Sequence, residues 1–222
     1  MGSTFKLALL SGSISVDRIA NVIAEGNLTD FDFATIPILE TDRLLLRRVT
    51  VDDYDDWLAV WHSPGVLDYL IDFDGAPDGV VAKAIIEWAD RIIRERSGIR
   101  WAITLKPHDR MIGSCGFHLY ARRDRRVEIG YELHSDFWRQ GIMSEAAQAV
   151  VNFCFVQLDV HRVEADVVEG NVASAALLKT LGFSLEGNWR DRVFKRGAYH
   201  SLWQFGLLAP DYLALRKVKR AR

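Results

Sequence analysis

The run Val127-Glu128-Ile129-Gly130-Tyr131-Glu132-Leu133, followed by Phe137-Trp138-Arg139-Gln140-Gly141-Ile142-Met143-Ser144-Glu145-Ala146, decides how the rest of the chain is read. The first part alternates with the period of a strand. The second is a short turn with one glycine, opening an apolar-periodic stretch that ends near Val156 and has the spacing of a helix. Another strand is expected over 161–168. Two strands joined by one long helix should be parallel neighbours in a right-handed crossover. The same strand, turn and helix make an anion cradle. The first N–H groups of a helix lack internal partners, and the helix dipole adds partial positive charge there. A glycine in the turn lets a phosphate reach the backbone without a Cβ in the way. A phosphate-bearing cosubstrate is the expected ligand.

Working outward, 222 residues suffice for one sizeable core with an appendage. Hydrophobic residues make up 49% and charged residues 26%, an ordinary soluble composition. No apolar run approaches the roughly 18 residues of a membrane span, and Leu7 to Leu10 is too short a patch for a signal peptide. Cys115 and Cys154, the only two cysteines, read as reduced core residues of a cytoplasmic protein. The six histidines show no close ligand spacing, so no metal site is expected. Charge is uneven. Residues 1–82 hold 5 Lys/Arg against 14 Asp/Glu and the remainder 23 against 16, which together make the net −2. An acidic front and a basic back suit a cationic partner on one side and an anionic one on the other, and chance segregation of solvated surface charge accounts for the split equally well.

Residues 1–39 do not resemble the rest and are taken as an N-terminal extension. A domain over 40–210 opens with a strand over 41–48, then an acidic helix over 51–62 closed by Pro64-Gly65, then an amphipathic helix over 78–96. Strands follow over 100–105, 111–119 and 126–133. Beyond the long helix come the 161–168 strand, a helix over 172–181, and strands over 183–188 and 199–208. This order implies an α+β fold on a mixed sheet with helices on both faces. Residues 211–222 read as a basic tail, its charges solvated or touching nucleic acid.

Two further clusters lie at telling distances. One is Asn171-Val172-Ala173-Ser174 running to Leu181-Gly182-Phe183, where Asn171 suits a helix N-cap and Gly182 its terminator. The other is Glu186-Gly187-Asn188-Trp189-Arg190. Together with Glu40-Thr41-Asp42-Arg43-Leu44, Glu128-Ile129-Gly130-Tyr131 and Trp138-x-x-Gly141, these clusters resemble the GNAT acetyltransferase superfamily, and within it the RimJ/RimL-like N-acetyltransferases. The resemblance spans about residues 40–209 and implies a GNAT-like domain with a splayed parallel strand pair. It implies acetyl-CoA as cosubstrate, its pyrophosphate held by the backbone of Arg139, Gln140, Gly141, Ile142, Met143 and Ser144. Met143 departs from the small residue usual there. Asn171 is carried over to the cofactor side. Leu133 would pair with pantetheine through its backbone, and its N–H would steady the oxyanion.

Acetyl transfer to an amine needs a neutral nucleophile, a proton acceptor and a thiolate that can leave. Glu128 alternates with Val127 and Ile129, so it faces away from those apolar side chains and is the first choice of base. Its bland reading is a salt bridge to one of the arginines at 122–126; Glu132 and Glu164 are weaker candidates. Many GNAT enzymes place a thiolate-protonating tyrosine seven residues after the asparagine. Here that position is Leu178. RimJ/RimL-like members carry a serine three residues after it, here Ser174, whose hydroxyl would bond the sulfur. Its bland reading is a first-turn helix residue bonding backbone. The acceptor favoured by resemblance is a protein N-terminal α-amine. A polyamine, amino sugar or antibiotic amine stands beside it, as does a CoA-binding regulatory module without catalysis. A second copy of the chain is an open partner.

Overall fold

The computed structural model describes residues 31–70 and 77–220. Among them are the strands β1 (Leu39–Glu40), β2 (Leu44–Arg48), β3 (Ile99–Leu105), β4 (Met111–Ala121), β5 (Arg126–Leu133), β6 (Arg162–Val168), β7 (Ser184–Lys195) and β8 (Ala198–Leu208). The α-helices are α1 (Tyr54–His62), α2 (Gly79–Arg94), α3 (Ile142–Val156), α4 (Val172–Leu181) and α5 (Ala209–Arg220). All strands join one sheet in the order β1-β2-β3-β4-β5-β6-β8-β7. Neighbours are antiparallel except β5 and β6, which are parallel and joined through α3 as expected. The mixed sheet carries helices on both faces.

Strand alternation sorts the side chains into two packed layers. Trp101, Phe117, Val127, Ile129 and Val163 point to one face and meet Phe153 and its neighbours on α3. On the other face Ala102 and Met111 meet Trp57, Trp61, Ala82 and Ile86 of α1 and α2. Local signals set the helix ends. Asp78 caps α2 by accepting from the N–H groups of Val80 (2.9 Å) and Val81 (3.1 Å). Gly182, at φ 99°, ends α4 in the left-handed region that a side chain resists. The acidic helix begins with a 3-10 turn at Val51–Asp53 rather than as a full α-helix from residue 51. Asp53 is buried and occupied in a capping box with Thr50 and in an ion pair with the partly exposed Arg47 at 2.7 Å.

Two elements differ from the sequence reading. β7 runs on to Lys195 instead of stopping near residue 188. It is the exposed edge strand and bulges against β8 between Trp189 and Val193, so no burial alternation marks its second half. A helix, α5, stands where a basic tail was expected. Tyr212 anchors it, stacking on Phe155 with ring centroids 4.6 Å apart and donating to Asn152 Oδ1 at 2.9 Å. Arg216 reaches the same oxygen at 2.7 Å. Phe33 and Tyr212 both lie in the main core, so packing extends beyond residues 40–210 in both directions. Cys115 and Cys154 are free and buried. Among the described residues no helix is long and apolar enough to cross a membrane.

Candidate active site

β5 and β6 pair over only three positions: Arg126 with Arg162, Val127 with Val163, and Glu128 with Glu164. Beyond that point β5 stays on β4 as far as Leu133, and β6 stays on β8 as far as Val168. The two strands therefore separate, and the backbone of residues 129–133 faces a gap. His134 donates its N–H across to Ile112 on the β4 side at 2.9 Å. Leu133, one residue earlier, turns its own N–H the other way, into the gap. The Leu133 carbonyl accepts from Trp138 Nε1 at 2.7 Å, which ties the strand end to the following turn.

That turn leads into α3. Arg139 (φ 59°) and Gly141 (φ 74°) both take left-handed conformations, and Gly141 is the N-cap. The first helical bond runs from Glu145 N–H to Gly141 O at 3.0 Å, so the N–H groups of Ile142, Met143 and Ser144 precede the ladder. A Cβ built on Gly141 would come no closer to a neighbour than 3.5 Å, to the Arg43 guanidinium. The concave side of the turn is thus open and faced by a cation. Arg43 was not singled out from the sequence. It is held by Glu145, with Nε to Oε2 at 2.7 Å, and donates to Gln140 O at 3.0 Å. Burial raises the pKa of Glu145, but hydrogen bonds from Thr41 and from the Arg43 backbone and side chain outweigh it and hold it below the usual range. The Met143 side chain packs on the main core and does not fill the cradle. Gln140 Nε2 donates to Asp136 O at 2.7 Å, which braces the loop from within.

Across the gap, α4 presents its first turn. Asn171 Oδ1 accepts the Ser174 N–H at 3.1 Å, the N-cap bond expected of it. The Ser174 hydroxyl lies 2.8 Å from the phenol oxygen of Tyr131 on β5. In the sequence Tyr131 stands within the Glu128-Ile129-Gly130-Tyr131 motif with nothing to mark a role. The strand parity that sends Glu128 one way sends Tyr131 the other, toward α4. Leu178 is fully buried in the core and offers no donor.

On the opposite face of the sheet, Glu128 stands clear of buried Val127 and Ile129, with His118 Nε2 at 3.4 Å from Oε1. Glu164 is engaged by Arg126 (2.8 Å) and Arg162 (2.7 Å). Asp166 is the next residue on that face of β6, past the last paired position. Burial and then the nearby Glu128 carboxylate push its pKa up, against a hydrogen bond from Gln204. It too was missed, although extending the alternation from Glu164 across the parallel pair reaches it. Glu132 belongs to a different structure. Its carboxylate takes hydrogen bonds from Trp57 Nε1 (2.9 Å), Ser114 and Arg100 in a buried network beneath α1. Such a saturated carboxylate is not available as a base. Lys195, also buried, donates to the carbonyls of Leu67 (2.6 Å) and Leu70, fastening the β7–β8 hairpin to the segment after α1. Asp72 and Asp74, acidic residues of the sequence between the first two helices that would draw a cationic acceptor electrostatically, lie outside the described residues.

Residues 43–184 match the family described as "Acetyltransferase (GNAT) domain". The "Uncharacterized N-acetyltransferase YoaA" of Bacillus subtilis (strain 168) is 34% identical over 174 residues, covering 78% of this chain and 98% of that protein. Among solved structures, RimL, a ribosomal L7/L12 alpha-N-protein acetyltransferase in complex with coenzyme A, superposes with a TM-score of 0.70 at 20% identity, covering 78% of this chain and 98% of its own. The spermidine N-acetyltransferase of Vibrio cholerae in complex with CoA and spermine gives 0.68 at 17% identity, with 78% and 99% covered.

Proposed function

The chain belongs to the GNAT acetyltransferase family, and we propose that it transfers the acetyl group of acetyl-CoA to a protein N-terminal α-amine by direct attack in a ternary complex. It is an acyltransferase of the N-acetyltransferase type. The observation that carries the reading is the strand pair that parts after Glu128, with the open cradle of Gly141 at one end of the gap and carboxylates on the far face. The pyrophosphate sits on the N–H groups of residues 142–144, beside Arg43. The acyl arm enters the gap, and the amine approaches from the face that carries Glu128 and Asp166.

Glu128 takes the proton of the attacking amine, directly or through one water. An α-amine, with a reference pKa of about 8, needs less help than a lysine at about 10.4. The Leu133 N–H steadies the oxyanion of the tetrahedral intermediate. When the C–S bond breaks, the electron pair stays on sulfur beside Ser174. RimL, a ribosomal L7/L12 alpha-N-protein acetyltransferase, acts on a protein α-amine, which supports the choice. The carboxylate grouping of Glu128 and Asp166 favours a second reading, a polyamine such as the one bound in the Vibrio cholerae structure. A screen measuring free CoA with short peptides of varied first residue, polyamines and amino sugars decides. Peptide turnover supports the first reading; turnover of polyamines alone replaces it.

A further inference from the structure

We propose that Tyr131 is a positioning residue for CoA thiolate departure, its phenol turning the Ser174 hydroxyl toward the sulfur. The inference rests on the acetyl-CoA reading above and adds to it a hydrogen-bond chain running from β5 to α4 to the sulfur. The two oxygens are 2.8 Å apart, and each is held from behind. The Tyr131 ring packs against the main core. Ser174 is in the first turn of α4, with its amide fixed by Asn171 at 3.1 Å. With the Tyr131 ring and the Ser174 backbone so held, the direction of the two hydroxyl hydrogens is still open, and either oxygen can donate.

An anion in the gap removes that choice. A thiolate attracts the nearest hydroxyl hydrogen, and the hydroxyl behind donates forward, because each donation strengthens the next. Ser174 lies in the α4 turn at the gap, so it faces the sulfur and Tyr131 backs it. Burial, the largest influence, pushes the phenol well above its ordinary pKa, so Tyr131 keeps its proton and acts as a donor, not as an acid. The step balances without a proton leaving it. The C–S bond breaks, the pair remains on sulfur, the thiolate accepts the Ser174 hydrogen bond, and water protonates CoA on release. Leu178, buried and apolar, leaves this task to some other group, and the chain's own geometry supplies one.

The test uses the full chain with CoA as probe, titrating the thiolate absorbance of bound CoA. In the wild type the bound thiol should ionise at lower pH than free CoA. Tyr131→Phe and Ser174→Ala should each raise that midpoint by roughly one pH unit, the size of one hydrogen bond to a charged group. The double variant should add nothing further. Affinity for desulfo-CoA should be the same in all four proteins, and kcat should fall roughly tenfold in each single variant with KM for acetyl-CoA unchanged. An unshifted midpoint in a folded Tyr131→Phe protein that binds CoA overturns this inference alone. So does equal weakening of CoA and desulfo-CoA, which would mean the ring only shapes the gap. Should Tyr131→Phe not fold, an unshifted midpoint in Ser174→Ala overturns it equally. A wild type that does not bind CoA overturns the acetyl-CoA reading and this inference with it.

Discussion

Gly141 serves the cradle twice: its left-handed φ of 74° shapes the turn, and its missing side chain leaves the concave side open. The nearest atom to an added Cβ is the tip of Arg43, so Gly141→Asp should fold, at a cost of about 1 kcal/mol for the left-handed backbone. Its carboxylate would then occupy the anion position. CoA should raise the melting temperature of the wild type, since it binds only the native state, and should fail to raise that of Gly141→Asp. Equal stabilisation of both proteins removes the pyrophosphate from this turn. Glu128 is tested by rate. Glu128→Gln should lower kcat by about 10²- to 10⁴-fold, the usual contribution of a positioned base, with little change in CoA affinity. The deficit should shrink as pH rises and the amine loses its proton unaided. A loss of constant size across pH would assign Glu128 to positioning, and unchanged turnover would take it out of the mechanism. Ser174→Ala should cost less than Glu128→Gln, because a thiolate is already a tolerable leaving group.

Elements announced themselves in the sequence where one face is buried or one cap is chemically marked. The alternation of residues 127–133 and the Asn171 and Gly182 signals placed β5 and α4 to the residue. The parallel pairing of β5 with β6 followed from the length of α3 between them. Elements are silent in the sequence where burial is sparse. β7 is exposed along most of its length, so nothing in its pattern said that it continues past residue 188. In α5 the basic run over 216–220 masked the helical signals, Pro210 near the start and Asp211 in the first turn. The site shows the same division. Groups presented by a turn or a cap were readable, whereas Tyr131, Asp166 and Arg43 matter through partners on other elements that only the fold brings near. Tyr212 measures what the missed helix contributes. Its ring is buried and its hydroxyl is bonded to Asn152, so Tyr212→Ala should cost about 3 kcal/mol, the range for aromatic truncation in a core. At about 2–4 °C per kcal/mol for a chain of this size, the melting temperature should fall by roughly 6–12 °C. A change of only a degree or so would show α5 to be an ornament on the domain.

At the scale of the whole molecule, the charge split along the chain meets a local correction. Two carboxylates of the acidic front are already neutralised across the fold, Asp53 by Arg47 and Asp56 by Arg110. Among the described residues a further pair of carboxylates stands at the parting of β5 and β6, in the other half of the chain, where Asp166 sits near Glu128. Such a field draws a cation before any contact forms, and salt shortens its reach from about 10 Å at 0.1 M to about 3 Å at 1 M. Raising ionic strength should therefore increase KM for a cationic acceptor and leave kcat nearly unchanged. The slope should depend on the acceptor. A peptide brings one charge at its α-amine, whereas a polyamine keeps further charges after one amine has reacted, so its KM should climb more steeply. Asp166→Asn should raise the low-salt KM and flatten both slopes. If the KM values of peptide and polyamine ignore salt in both proteins, acceptors are chosen by shape, and the carboxylates act only on the amine already bound.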